Sequence, residues 1–220
     1  MKIEQISRSK VHTVYKTGDS IRVPSVTTIL GVLSKPALIP WANRLGLQGI
    51  DSSKYVDRLA TIGTLAHYWI ESYLNGEEPN LDQYSPEEKD LASNSVLKFL
   101  EWYDGINPKV IATELRLVSE AHRFGGTVDC ICDIECQGVG LLDIKTSKAI
   151  YQEHLYQLAA YWKLALEQGY DVKWVSVIQV GRNPEEGFSV RHCKGQELEK
   201  NWSVFQCCLH LYSALKEIKK

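Results

Sequence analysis

No stretch of the 220-residue sequence approaches the roughly 18 consecutive apolar residues of a membrane-spanning helix, and no membrane association is expected. The opening MKIEQISRSKVHTVYK lacks the short apolar run of a secretory leader, so the expected location is cytoplasmic or an equivalent reducing compartment. Neither sign of charge predominates. A net charge of -2 and a pI near 6.3 argue against coating nucleic acid by bulk attraction, though not against touching a few phosphates in a local groove. Of the six cysteines, Cys130, Cys132 and Cys136 read C-x-C-x3-C, Cys207 and Cys208 are adjacent, and Cys193 stands alone. The C-x2-C knuckle of a structural zinc site is absent, and buried thiols are expected in preference to disulfides or a cysteine-bound metal. There is no internal repeat, no low-complexity segment, no G-x4-G-K-[ST] phosphate loop and no H-E-x-x-H pair among the six histidines. An ATP-driven motor would have to reside on another chain, and a histidine-rich metallohydrolase is disfavoured.

With 44% hydrophobic residues the chain can bury one good core, and residues 1–220 read as a single domain. Its first part, 1–108, is expected to be mainly helical. Pro24 and Ser25 precede a short helix at 26–33, and Pro36 and Pro40 punctuate a second ending near Gly46. Residues 52–75 form a third, with Gly63 as its expected break. Ser85 and Glu88 make a capping box for an amphipathic helix to about Tyr103, which Asp104, Gly105, Asn107 and Pro108 terminate.

At Lys109 the character changes, and 109–220 is expected to hold the sheet and its flanking helices. Residues 110–118, 126–134 and 139–145 are β-rich and separated by polar or glycine-containing turns, which predicts an antiparallel meander. A helix follows at 152–168, with Leu155, Leu158, Ala159, Trp162 and Leu166 as its inward stripe. Residues 172–180 are a buried strand, 187–192 its partner, and 197–219 a closing helix. Strand, helix and strand after a meander predict a parallel crossover, hence an α/β (α+β) fold with a mixed central sheet flanked by helices.

Asp143 and Lys145 share one face of the third β-rich run, while Ile144 points the other way into the core. Asp129 lies on the preceding run, where antiparallel pairing brings its carboxylate towards Asp143. Two such carboxylates can bind a hard cation through oxygen while a nearby ammonium holds or deprotonates an attacking water. That is the minimum equipment for metal-assisted phosphodiester hydrolysis. Alone, the D-x-K triplet is equally a strand-end turn and a solvated edge lysine.

The surrounding residues also have two readings each. Gly63, Thr64 and His67 form G-T-x-x-H on a helix with Glu71 at i+4 from the histidine, a place that packed or exposed histidines also fill. Glu114, in an apolar strand, faces solvent or serves a site. Gly125 and Gly126 permit a bulge or a close backbone approach, or mark a turn. Gln157 and Tyr161, four apart beside the apolar stripe of the next helix, hold a phosphate, stack a base or simply pack.

Taken in order, GTLAH, TELRL, GTVD, DIK and QLAAY over residues 60–165 resemble the motifs of the RecB-like branch of the PD-(D/E)XK nuclease superfamily. VPSVTTIL followed by PWA is similar to the opening of phage-encoded members and of the mitochondrial genome maintenance exonuclease. The resemblance implies a restriction-endonuclease-like core and a Mg2+- or Mn2+-dependent DNA exonuclease. It implies Asp129, Asp143 and the Ile144 carbonyl as metal ligands with His67 as a further one. Lys145 would orient or activate water, Glu114 would support a second metal or the water network, and Gln157 and Tyr161 would contact DNA or brace the site. The implied partners are DNA, single-stranded or with free ends, and recombination or replication proteins. Some relatives hold an iron-sulfur cluster with one cysteine ahead of the histidine motif. None precedes Cys130 here, so that cluster is not expected. The alternative is a catalytically silent nucleic-acid-binding or assembly module, against which stands the retention of two neighbouring carboxylates without a cation to hold.

Overall fold

The computed structural model describes residues 13–218. The first part of the chain contributes β1 (Tyr15–Lys16), β2 (Arg22–Val23), α1 (Val26–Leu30), α2 (Leu38–Leu47), α3 (Ser52–Leu74) and α4 (Pro86–Ile106). The second contributes β3 (Lys109–Ser119), β4 (Phe124–Ile134), β5 (Gly138–Lys145), α5 (Gln152–Glu167), β6 (Trp174–Val180), β7 (Phe188–Lys194) and α6 (Gln196–Ile218), with a 3-10 turn at Pro184–Glu186. Residues 1–12, on which the expectation about a leader rests, and the predicted helix end at Lys219 lie outside the described residues.

Local chemistry sets the helix starts. The Ser25 hydroxyl accepts the Thr28 N–H at the head of α1, and the Asp51 carboxylate accepts those of Ser53 and Lys54 at the head of α3. The capping box at Ser85 and Glu88 is formed, and Asn107 closes α4 in the left-handed conformation. Pro40 sits in the first turn of α2, where a missing N–H costs nothing.

The five-stranded sheet has order β3-β4-β5-β6-β7. β3, β4 and β5 form the expected antiparallel meander, α5 carries the chain across to β6 parallel to β5, and β7 returns antiparallel. Helices cover both faces. One core joins α1, α5 and α6 to the sheet through residues such as Phe124, Leu141, Leu158 and Phe205; the other joins α3 and α4 through Leu65, Phe99, Leu142 and Ile144. This mixed α/β layering is consistent with a restriction-endonuclease-like core. All six cysteines are free thiols, four of them buried, and no described helix is long and apolar enough to cross a membrane.

Three local expectations change. Gly63 does not break α3, which runs unbroken through it; a Cβ there would stand 2.7 Å from Thr146 Oγ1, so glycine serves a close approach between helix and sheet. Gly125, expected just ahead of its strand, lies with Gly126 inside β4, and of the bulge, close approach and turn the close approach is what forms: a Cβ would meet the Tyr15 ring or the Tyr161 ring at 2.5 Å. Gln157 and Tyr161 are buried, and Tyr161 belongs to the α5 core instead of flanking it.

Candidate metal centre

Pairing places the acidic residues in one row. Thr113↔Cys130 and Leu115↔Val128 bracket Glu114 and Asp129, and Cys130↔Leu142 puts Asp143 next across β5. The usual alternation of strand faces changes phase at this row. In β4, Val128 and Ile131 enter the α5/α6 core, yet Cys130 and Cys132 enter the α3/α4 core. Glu114 marks the change on β3 with a φ of 44°, a left-handed conformation that side chains adopt at a cost of about 1–3 kcal/mol.

The β4–β5 ladder ends at Cys130↔Leu142, and the next free N–H, that of Ile144, donates to Asp129 Oδ2 at 2.7 Å. The backbone thereby fixes one carboxylate of the site. From α3, His67 Nδ1 stands 3.7 Å from the same oxygen. Ligand atoms of His67, Glu114 and Asp129 all lie within 4.8 Å of one another. The side chain of Asp143 is 1% exposed and is ion-paired with Lys145, Nζ to Oδ2 at 2.7 Å. Apart from Lys145, neither Asp143 oxygen has a partner among the described residues.

The electrostatics follow from crowding acids in a partly dry place. Burial, reinforced by Asp129 and Glu71, pushes Glu114 up to about 8. Burial raises Glu71 as well, with Glu77 and Asp129 adding to it. Burial also raises Asp143, against the pull of Lys145. For Lys145 burial works against the charge, but Asp143 and Asp129 outweigh it and hold the ammonium form. Lys145 therefore suits holding a water better than taking a proton from one.

These donors fit a hard divalent cation. The His67 imidazole and the Glu114 and Asp129 carboxylates are a donor set such an ion takes, and Asp143, the register neighbour of Asp129 across β5, adds a buried carboxylate just outside that group. The arrangement opens into a cleft of about 650 Å3 walled by α3 residues including Thr64, His67 and Glu71, with Glu114, Asp129, Thr146 and Arg182 opposite.

Of the residues singled out from sequence, His67, Glu114, Asp129, Asp143 and Lys145 converge. Ile144 buries its side chain and offers its backbone to the site. Gln157 Nε2 donates to the Tyr161 hydroxyl at 2.7 Å, both inside α5 packing, and burial together with Asp143 raises the Tyr161 phenol well above its usual range. Arg116, Arg123, Lys148 and His154, near the site in sequence, do not line the cleft. Thr146 and Arg182 do, and neither carries a sequence signal; Glu71 was visible only through its i+4 spacing from His67.

Neither a protein-family model nor a curated protein matches the sequence. Among solved structures, a provisionally assigned exonuclease from Eubacterium rectale overlaps 66% of this chain at 11% identity and a TM-score of 0.47, and the match spans 64% of that protein's chain. The alkaline exonuclease of Laribacter hongkongensis overlaps 74% of this chain and 90% of its own at 16% identity, with a TM-score of 0.36. The same enzyme in complex with dAMP overlaps equally at 14% identity and a TM-score of 0.37. At these TM-scores the overlaps are partial and establish neither the fold nor an activity.

Proposed function

We propose that this chain is a divalent-metal-dependent nuclease that hydrolyses DNA phosphodiester bonds. More particularly, we read it as a RecB-like exonuclease of the PD-(D/E)XK superfamily, acting on single-stranded or end-bearing DNA in recombination, repair or phage genome processing. The observation that carries the reading is Asp143: an almost fully buried carboxylate, paired with the Lys145 ammonium at 2.7 Å and next in line to Asp129 and Glu114.

Asp129, Asp143 and the Ile144 carbonyl, with His67, would hold Mg2+ or Mn2+, and Glu114 would serve a second ion or the water around it. A bound dication supplies positive charge against the phosphoryl oxygens and makes its water more acidic. The chain's own contribution is positional. The Ile144 N–H holds Asp129 in one orientation, so the carboxylate needs no reorganisation when the phosphate arrives. Lys145, kept charged by the two aspartates, donates to the attacking water and sets its approach. Gln157 and Tyr161, bonded to each other beneath Gly126, brace the floor of the site.

The test is to incubate the protein with end-labelled linear and closed-circular DNA, each single- and double-stranded, in Mn2+. Expected is metal-dependent shortening of the linear strands with closed circles left intact. Cutting of circles would refute the end requirement alone, whereas no cutting of any substrate would refute the nuclease reading.

A further inference from the structure

Arg182 stands outside the metal-binding set. Among the described residues lining the cleft, Glu71, Glu114 and Asp129 are acids and Arg182 is the only permanent cation. Its side chain is 8% exposed and its guanidinium is gripped at two points by Glu186, with Nε to Oε2 at 2.9 Å and Nη2 to Oε1 at 2.7 Å; the Arg182 N–H adds a third contact at 2.9 Å.

The loop that carries this pair is anchored from three sides. Ser95 donates to the Val180 and Gly181 carbonyls, and Lys98 to those of Asn183 and Gly187. Gln179 Nε2 bridges the Glu186 carbonyl to that of Ser147, in the segment that follows Lys145. Gly181 leaves no room for slack, since a Cβ there would stand 2.5 Å from that of Glu186.

An arginine fork has five N–H donors, and Glu186 engages only the Nε and Nη2 side. No other acceptor among the described residues engages the guanidinium. A loop brace accounts for the ion pair but not for its place in the wall of an acidic cleft, where a polyanion needs a cation to enter. We propose that Arg182 binds a backbone phosphate of the DNA strand in the cleft, and that Glu186 is the positioning residue that sets the angle of its fork. This rests on the nuclease reading of the same cleft.

The test measures binding of a short labelled single-stranded oligodeoxynucleotide to the full chain by anisotropy, with Ca2+ in place of Mg2+, across a salt series. Arg182→Gln alone leaves Glu186 buried without its partner, so the decisive variant is the neutral pair Arg182→Gln with Glu186→Gln. Its affinity should fall about tenfold and its log K against log salt slope should flatten by about 0.7, one phosphate's worth on a single strand. Glu186→Gln alone should keep the wild-type slope, and Mn2+ affinity measured without DNA should be the same in all three proteins. Wild-type affinity and slope in the double variant would overturn this assignment and leave the nuclease reading standing. Wild-type protein that binds Mn2+ but no DNA would overturn both.

Discussion

Gly63→Ala separates stability from function in a way that the geometry makes quantitative. In the interior of α3, alanine should favour the helix by about 1 kcal/mol over glycine. The added methyl, however, would stand 2.7 Å from Thr146 Oγ1, inside van der Waals contact. Relief comes from rotating the threonine hydroxyl or from α3 retreating by a few tenths of an ångström, and overpacking of this sort costs about 1–3 kcal/mol. The net is a loss of about 0–2 kcal/mol, so the unfolding free energy from urea titration should fall by no more than about 2 kcal/mol. Activity has no such compensation. Thr146 follows Lys145 directly, and His67 lies one turn from Gly63 on the same helix, 3.7 Å from Asp129. A small displacement of either should lower the rate of Mn2+-dependent DNA cleavage by about tenfold or more. Thr146→Ala removes the clashing oxygen, so Gly63→Ala with Thr146→Ala should recover most of the activity lost by Gly63→Ala alone, giving a coupling energy of about 1 kcal/mol in the double-mutant cycle. Full activity in Gly63→Ala, or no coupling with Thr146→Ala, would refute the close-approach argument.

Three further predictions concern the site and its supports. Asp143→Ala and Lys145→Ala should each abolish Mn2+-dependent cleavage while the far-ultraviolet circular dichroism stays that of wild type; activity in either variant, or in excess chelator, would sink the metal mechanism. His154 Nδ1 accepts the Tyr151 N–H at 3.2 Å to close the α5 cap, and burial, helped by the Lys145 ammonium, holds its pKa down to about 4. Because the unfolded histidine binds its proton near pH 6.5, stability is complete above that value and is lost as pH falls towards 4; the upper bound is about 3 kcal/mol, and about half that once solvent screening is allowed for. His154→Asn should flatten this acid limb of the stability curve, and an unaltered limb would count against the cap. Tyr161→Phe leaves the buried Gln157 amide without its 2.7 Å acceptor and should cost about 1–3 kcal/mol in denaturant titration, with a loss near zero showing that the pair does not brace the site.

Most of the architecture was legible from periodicity and punctuation. The meander, the α5 crossover and the capping box at Ser85 all follow from patterns within a few residues of each other, where local chemistry decides. The errors fall on glycines. Gly63 reads as a helix breaker because propensity records only the residue's own backbone freedom, whereas here the deciding partner is Thr146, distant in sequence. Gly125 and Gly126 read equally as a bulge, a close approach or a turn, and the close approach could be singled out only once its partners, the rings of Tyr15 and Tyr161, were in place. Gln157 and Tyr161 were placed beside the apolar stripe by helical phase alone, which sees one helix and not the strand that covers its flank. Arg182 was missed because a loop arginine is ordinary until its loop is folded against the cleft.

The left-handed residue at Glu114 explains why the acids meet at all. In a regular antiparallel pair, like charges set directly opposite repel, and alternation would send neighbours in a strand to opposite faces. Here the faces exchange at Glu114 and Asp129, so residues on either side of the row feed different cores while the row itself turns towards α3 and its histidine. That geometry works against stability three times over, through a strained φ, a set of crowded acids and a buried Asp143 carboxyl, whose pKa burial raises against the pull of Lys145. Strain and crowded, buried acids in the same few residues are not what packing alone selects. A dication would offset the last two by adding positive charge to acids that have Lys145 beside them, and the strained backbone then serves to hold those oxygens where the ion would sit.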